Sequence, residues 1–256
     1  MNKKIDIIVE VRTASKRLPG KVIMKILNRP VIDLMIERLK RIKQINDIII
    51  ATTTNTNDDI IEKIAKENHI KCFRGSEADV LGRVTEAIKF FKTDIVVQIT
   101  GDNPLVDKKI TEELISFFLK NYKNYDFICN DAGIYNSKFK IEYPMGLNTK
   151  VFKSSILIDV EKNTNNAVDR EHVVNYILKN PNQFKILSYK APQELCRQDI
   201  RLTLDYLEDF KLIKLIYENL YPKNKNFDIN DIISFLDKNT EIKNLNSNCS
   251  QKVYKY

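Results

Sequence analysis

Four cations, Arg12, Lys16, Arg17 and Lys21, fall within ten residues of the stretch Val9-Glu10-Val11-Arg12-Thr13-Ala14-Ser15-Lys16-Arg17-Leu18-Pro19-Gly20-Lys21-Val22. Arginine offers a planar bidentate fork and lysine a compact point charge, a combination that suits a polyanion such as a nucleoside triphosphate. Ala14 and Ser15, between those cations, are small enough for the backbone to approach an anion closely. The plain alternative is a solvated basic loop. A second feature is Thr100-Gly101-Asp102-Asn103-Pro104. There Gly101 permits close backbone approach and Asp102 offers a hard carboxylate. Mg²⁺ commonly takes one or two carboxylates together with phosphate oxygens and water, so Asp102 is the first metal candidate. The alternative for Asp102 is an aspartate that opens a turn before Pro104.

These residues need elements to position them. The β-branched run Ile5 to Val11 stops at the basic, Pro-Gly-punctuated segment, which reads as a strand emptying into a loop. The run Asp94 to Ile99 is too apolar for an edge strand and reads as a central one, ending at Thr100-Gly101-Asp102. Open α/β sheets bind ligands at the carboxyl ends of their strands, where both motifs would lie. Further strands are expected at Ile48 to Thr52, Lys71 to Phe73, Asp126 to Cys129, Phe184 to Tyr189 and Arg201 to Asp205. Helical spacing predicts helices over Val31 to Lys43, from the Asp58-Asp59 cap through Asn68, to about Phe91, and over Lys108 to Asn121. Later helices are expected over Lys153 to Glu161, Ala167 to Asn180, Glu208 to Leu220 and Asp228 to Lys238. Right-handed crossovers then give a doubly wound, mostly parallel α/β sheet. Residues 130–148 have weak periodicity, the mark of a functional or interface segment. The expected organisation is one domain over residues 1–240, followed by a polar, frayed C-terminal tail at 241–256.

With 256 residues and 43% hydrophobic content, the chain can bury one large core or one core with a small appendage, and one α/β domain is the default. Its net charge of +8 raises the possibility of nucleic acid, but basic runs are short and no base-reading motif is present, so no nucleic-acid partner is expected. The cysteines, Cys72, Cys129, Cys196 and Cys249, are far apart, with no C-x-x-C pair and no zinc-site spacing. The first residues lead straight into a strand and no apolar run nears membrane-spanning length. A cytoplasmic protein without a membrane partner is the expectation.

The loop from Val9 to Val22 resembles, nearly residue for residue, the signature of the cytidylyltransferases that make CMP-activated acidic sugars: CMP-Kdo synthetase, CMP-sialate synthetase and the spore-coat polysaccharide cytidylyltransferase-like proteins. The resemblance implies a Rossmann-like nucleotidyltransferase fold and Mg²⁺-dependent transfer of CMP from CTP to a small acidic sugar. Pyrophosphate is released, and the product serves surface glycan biosynthesis. It implies catalytic roles for Arg12, Lys21 and Asp102. Nucleotide contacts are implied for Arg12, Thr13, Ala14, Ser15, Lys16, Arg17 and Lys21, and for Thr100 and Gly101. Arg74-Gly75-Ser76-Glu77-Ala78-Asp79-Val80-Leu81-Gly82-Arg83 is similar to the family's segment against the nucleotide, which adds Arg74, Ser76 and Asp79. A simpler reading has Asp79 capping the next helix and Arg83 pairing with it at i, i+4 on the surface. Arg201-Leu202-Thr203-Leu204-Asp205 resembles the segment whose aspartate completes the metal site, here Asp205. Glu208 and Asp209 just beyond it are accounted for by the helix macrodipole.

In the resembled family the region matching about residues 131–185 projects from the sheet, contacts the acceptor and builds a dimer, so a homodimer is implied. Acceptor contacts are implied for Gly146 and Asn148, and for Arg170, Glu171 and His172 in Asp169-Arg170-Glu171-His172-Val173. Spore-coat-like members tend to read P-D-G-L-D-V-E-V-F where this chain has Pro144-Met145-Gly146-Leu147-Asn148-Thr149-Lys150-Val151-Phe152. Simple Coulomb reasoning makes Met145, Asn148 and Lys150 favour an anionic acceptor, or mark an unusual one. Two further readings remain open: an acceptor that is a sugar phosphate or other phosphorylated metabolite, and a catalytically silent nucleotide-binding homologue.

Overall fold

β-branched alternation drives the centre of the sheet: in β1 (Ile5–Glu10), Ile7 and Val9 face one core and Ile8 the other. The structure is a computed structural model and describes residues 3–250. With β2 (Asp47–Thr53), β3 (Lys71–Gly75), β4 (Ile95–Thr100), β5 (Phe127–Cys129), β6 (Lys150–Lys153) and β7 (Ile186–Ser188), it forms a seven-stranded sheet. The strand order is β3-β2-β1-β4-β6-β5-β7. The pairs β3/β2, β2/β1, β1/β4 and β5/β7 are parallel, and β6 runs antiparallel to both of its neighbours. The mostly parallel, Rossmann-like sheet is therefore observed.

Both faces are covered, which is why these strands can be apolar throughout. On one face pack α1 (Val31–Leu39), α2 (Asp59–Glu67), α4 (Lys108–Lys120), α8 (Leu207–Leu220) and α9 (Ile229–Lys238). Their buried side chains include Ile32, Ile61, Phe118, Ile213 and Leu236. On the other face pack α3 (Val80–Phe91), α5 (Ser154–Asn163) and α7 (Asn175–Lys179), through Leu81, Leu157 and Ile177. The chain leaves β1 toward β2 and β3 on one side and returns through α3 to β4 on the other. The switch point between β1 and β4 opens a crevice at their carboxyl ends.

Several expectations fail for identifiable reasons. The helix expected over Ala167 to Asn180 is two short helices, α6 (Ala167–Glu171) and α7, separated at His172, whose φ of −115° and ψ of 80° are not helical. Residues 201–205 form no strand; a single bridge joins Arg201 to Met145. Their alternation arises because Leu202 and Leu204 are buried while Leu202 N–H donates to the Met145 carbonyl and Leu204 N–H to that of Asp102. Strand β6 was not expected, and the first helix ends four residues early, at Leu39. The segment after Asn239 is not frayed over its described part. It forms α10 (Thr240–Lys243) and a short 3-10 turn, Asn244–Asn246, whose Asn246 is buried against α8. Residues 251–256 of the expected tail lie outside the described residues.

β6 is pinned by Phe152, fully buried and stacked on Phe127 with ring centroids 5.4 Å apart. Phe152→Ala is expected to lower stability by about 3–5 kcal/mol in urea unfolding. A loss below about 1 kcal/mol would show that this end of the sheet is not packed as described.

Candidate active site

The crevice between β1 and β4 is a cleft of about 340 Å³, and its lining brings together segments far apart in sequence. From the loop after β1 come Arg12, Ala14, Ser15, Lys16, Arg17 and Lys21; from the end of β4 and the turn after it come Thr100, Gly101 and Asp102; from before α8 comes Asp205. The turn after β4 reaches the basic loop because Gly101 has no side chain. A Cβ there would sit 2.8 Å from Val11 and 3.0 Å from the Glu10 carbonyl, while the Gly101 N–H donates to that carbonyl at 2.8 Å. Asp58, which sequence reasoning read only as a helix cap, anchors the loop. Its carboxylate accepts from Thr13 N–H and Oγ1 at 2.8 and 2.7 Å and from Thr53 Oγ1. Burial alone would raise the Asp58 pKa, but these donated hydrogen bonds hold it below the usual carboxylate range.

Lys21 is the meeting point. Its Nζ lies 2.9 Å from Asp205 Oδ1, 3.8 Å from Asp102 Oδ2 and 2.7 Å from the Leu204 carbonyl. One ammonium thus reaches both candidate metal carboxylates. Arg17 adds a contact to Asp205 Oδ1 at 2.5 Å and Arg201 one to Oδ2 at 3.4 Å. The two aspartates are also joined through the backbone: the Asp102 carbonyl accepts from Leu204 N–H at 2.8 Å and Thr203 Oγ1 at 3.2 Å. Asp102 keeps its side chain 29% exposed to the cleft, whereas that of Asp205 is 1% exposed. Two carboxylates facing one cation-rich loop suit Mg²⁺, which would draw its other ligands from phosphate oxygens and water. No cluster of three or more His, Cys, Asp or Glu capable of holding a metal alone occurs among the described residues.

Part of the expected site is elsewhere. Thr13 turns its hydroxyl to Asp58 and is absent from the lining. Arg74 is held outside the cleft by Asp59 and Glu62 at 2.6 and 2.8 Å and by the carbonyls of Thr53 and Asn55. Ser76 Oγ accepts from Asp79 N–H, and Asp79 caps α3 through Gly82 N–H while pairing with Arg170. Asp79 is therefore a cap, as the simpler reading had it, but Arg83 is neither exposed nor its partner. Arg83 is 2% exposed, donates to the Ser76 carbonyl at 2.6 Å and lines the cleft. Arg170, bound by Asp79 and Glu161, does not line the cleft, whereas Glu171, His172 and Asn148 do. Gly146, expected against the acceptor, is absent from the lining and packs instead on the segment before Asp205. At φ +100° it packs so tightly on Leu202 and Thr203 that a Cβ would fall 2.3 Å from the Thr203 nitrogen.

The cleft floor holds a polar group the sequence did not assemble. Glu10 and Tyr135 line it with Lys150, and Glu10 accepts from Gln98 Nε2. Burial pushes the Glu10 carboxyl above its usual range, against the hydrogen bond from Gln98 and the charges of Lys150 and Arg83. Lys150 is 2% exposed and 2.7 Å from Asp131, itself 2% exposed. Burial alone would lower its pKa, but the surrounding groups, Asp131 foremost, act the other way and the net shift is upward. The Coulomb argument from Lys150 to an anionic acceptor therefore fails, because its charge is already matched. Asp209 also exceeds its expected role as a macrodipole residue. It accepts from Asp205 N–H, Tyr206 N–H and Arg201.

A family model for cytidylyltransferases matches residues 7–233. The chain is 40% identical over 252 residues, 98% of each sequence, to an uncharacterized protein of Methanocaldococcus jannaschii. It is 28% identical over 241 residues to the spore coat polysaccharide biosynthesis protein SpsF of Bacillus subtilis, covering 91% of this chain and 94% of that protein. Among solved structures, a cytidylyltransferase from Leptospira borgpetersenii superposes with a TM-score of 0.87 at 31% identity, covering 99% of this chain and 100% of that one. The sequence, the nucleotidyltransferase fold and these likenesses agree: the chain belongs to the cytidylyltransferase family and is a nucleotidyltransferase.

Proposed function

We propose that this enzyme uses CTP to activate a small acidic sugar, of the Kdo or nonulosonate kind, as its CMP derivative for surface glycan synthesis, and that it works as a homodimer with Mg²⁺. The observation that carries the reading is the reach of Lys21 Nζ to both Asp102 and Asp205 at the mouth of the basic loop. Arg12, Lys16, Arg17 and Lys21 bind and neutralise the triphosphate, and the backbone at Ala14 and Ser15 lies against it. Asp102 and Asp205 hold Mg²⁺, which when bound offsets negative charge on the phosphate oxygens. The acceptor hydroxyl, oriented from the side of Asn148, Glu171 and His172, attacks the α-phosphorus and gives up its proton to solvent, while the bond from the α-phosphorus to the bridging oxygen breaks and pyrophosphate leaves. The role of SpsF in polysaccharide biosynthesis supports a glycan product.

The matched Lys150–Asp131 pair leaves Lys150 without spare charge for any anionic acceptor, so it favours a sugar phosphate no more than an acidic sugar. The intact set of Lys21, Asp102 and Asp205 argues against a silent homologue. No helix among the described residues is long and apolar enough to cross a membrane.

Purified protein with CTP, Mg²⁺ and a panel of acidic sugars should release pyrophosphate, and GTP, UTP or ATP in place of CTP should give far less. Turnover only with sugar phosphates would replace the acceptor class. Loss of one positioned electrostatic group typically costs about 10²–10³ in rate, so Asp102→Asn and Lys21→Ala should each lose at least that much while remaining folded by circular dichroism. Unchanged release in Asp102→Asn removes Asp102 from the metal site.

A further inference from the structure

Asp205 enters the cleft on a segment that the C-terminal part of the chain grips from behind. Arg197 forms a two-pronged pair with Asp237 of α9 at 2.7 and 2.8 Å, and Lys243 of α10 reaches Asp199 at 3.0 Å. Both pairs are partly exposed, with Asp199 and Asp237 47% exposed, and pairs of that kind contribute little. Asn246 differs: it is 2% exposed, and its Nδ2 donates to the Arg201 carbonyl at 3.0 Å and to Asp209 Oδ1 at 2.7 Å. Hydrogen bonds to a buried carboxylate are among the stronger ones.

Asp209 passes that grip to the proposed metal site. Fully buried, it accepts from the backbone N–H of Asp205 at 2.9 Å and of Tyr206 at 3.0 Å, and from Arg201 Nε at 2.9 Å. Arg201 in turn contacts Asp205 Oδ2. The chain Asn246, Asp209, Asp205 therefore runs through buried side chains from the C-terminal segment to the backbone of the residue whose carboxylate faces Lys21, and Arg201 joins Asp209 to that carboxylate. Outer partners of this kind fix the orientation of a ligating carboxylate, and metal affinity depends on them.

We propose that Asn246 is a positioning residue for Asp205, and that residues 239–250 form a strap that sets the metal-binding geometry of the cleft. This rests on the reading that Asp205 holds the metal. Asn246→Asp keeps the side-chain shape, removes both donated hydrogen bonds and sets a carboxyl against Asp209. Asn246→Ala removes the donors without adding an acid.

The test titrates Mn²⁺ into CTP-saturated protein by calorimetry, with CTP affinity in the absence of metal and thermal unfolding measured alongside. Both variants are expected to bind Mn²⁺ about tenfold more weakly while metal-free CTP affinity stays within about twofold, because outer-partner losses act on the metal. Asp205→Asn serves as the reference and, once chelation by CTP alone is subtracted with a protein-free titration, should weaken Mn²⁺ binding more than either Asn246 variant does. If Asp205→Asn weakens Mn²⁺ binding and folded Asn246→Ala does not, the strap is refuted and the metal assignment stands. If Asp205→Asn leaves Mn²⁺ binding intact, the metal assignment falls and the strap falls with it. Equal losses of metal and CTP affinity in Asn246→Ala would show general loosening and also refute positioning.

Discussion

A carboxylate buried to 1% exposure is costly to keep in a protein unless opposite charge and hydrogen bonds surround it, and the active cleft is built around that constraint at Asp205. Arg17 and Lys21 meet one of its oxygens, Arg201 approaches the other, and Asp209 holds its backbone. The cations that would receive a triphosphate are thus the same ones that match this carboxylate in the free protein. Under the proposed function, a metal held by Asp102 and Asp205 together with a triphosphate would supply replacement charge for both sides, so Arg17 and Lys21 could turn to phosphate without stranding the aspartate.

The fold makes this possible by topology. β1 and β4 lie side by side although α1, β2, α2, β3 and α3 separate them in sequence, and their loops leave at the same end of the sheet. Gly101 lets those loops touch, and the Asp102 carbonyl draws in the segment carrying Asp205. The antiparallel β6 then places Lys150 beside Gln98 at the cleft floor, opposite Glu10, on the side of the sheet reached by Glu171 and His172. The cleft is therefore divided between a cationic end and a floor where the buried charge of Lys150 is matched by Asp131.

Much of this was legible in the sequence wherever the signal was local. The apolar runs of β1 and β4 and the spacing of Arg12, Lys16, Arg17 and Lys21 announced a sheet with a polyanion loop. Asp102 could be read from its place after a buried strand. Features that depend on long-range partners were not legible. Lys150 looked like a free cation because nothing local marks Asp131 as its partner. Arg83 sits at i, i+4 from Asp79, yet it is buried and Asp79 pairs with Arg170 instead. Arg74 belongs to a motif expected against the nucleotide, but Asp59 and Glu62 hold it outside. Asn246 lies in a stretch whose polarity suggested fraying, and only the folded α8 reveals the buried carboxylate it serves.

The most direct measurement is the anomalous scattering of manganese in crystals grown with Mn²⁺ and CTP. The expected result is a manganese peak beside the carboxylates of Asp102 and Asp205 and the bound triphosphate, with Arg17 and Lys21 on the phosphates. Manganese bound away from either aspartate, or a triphosphate that leaves Arg17 and Lys21 on Asp205, would contradict it.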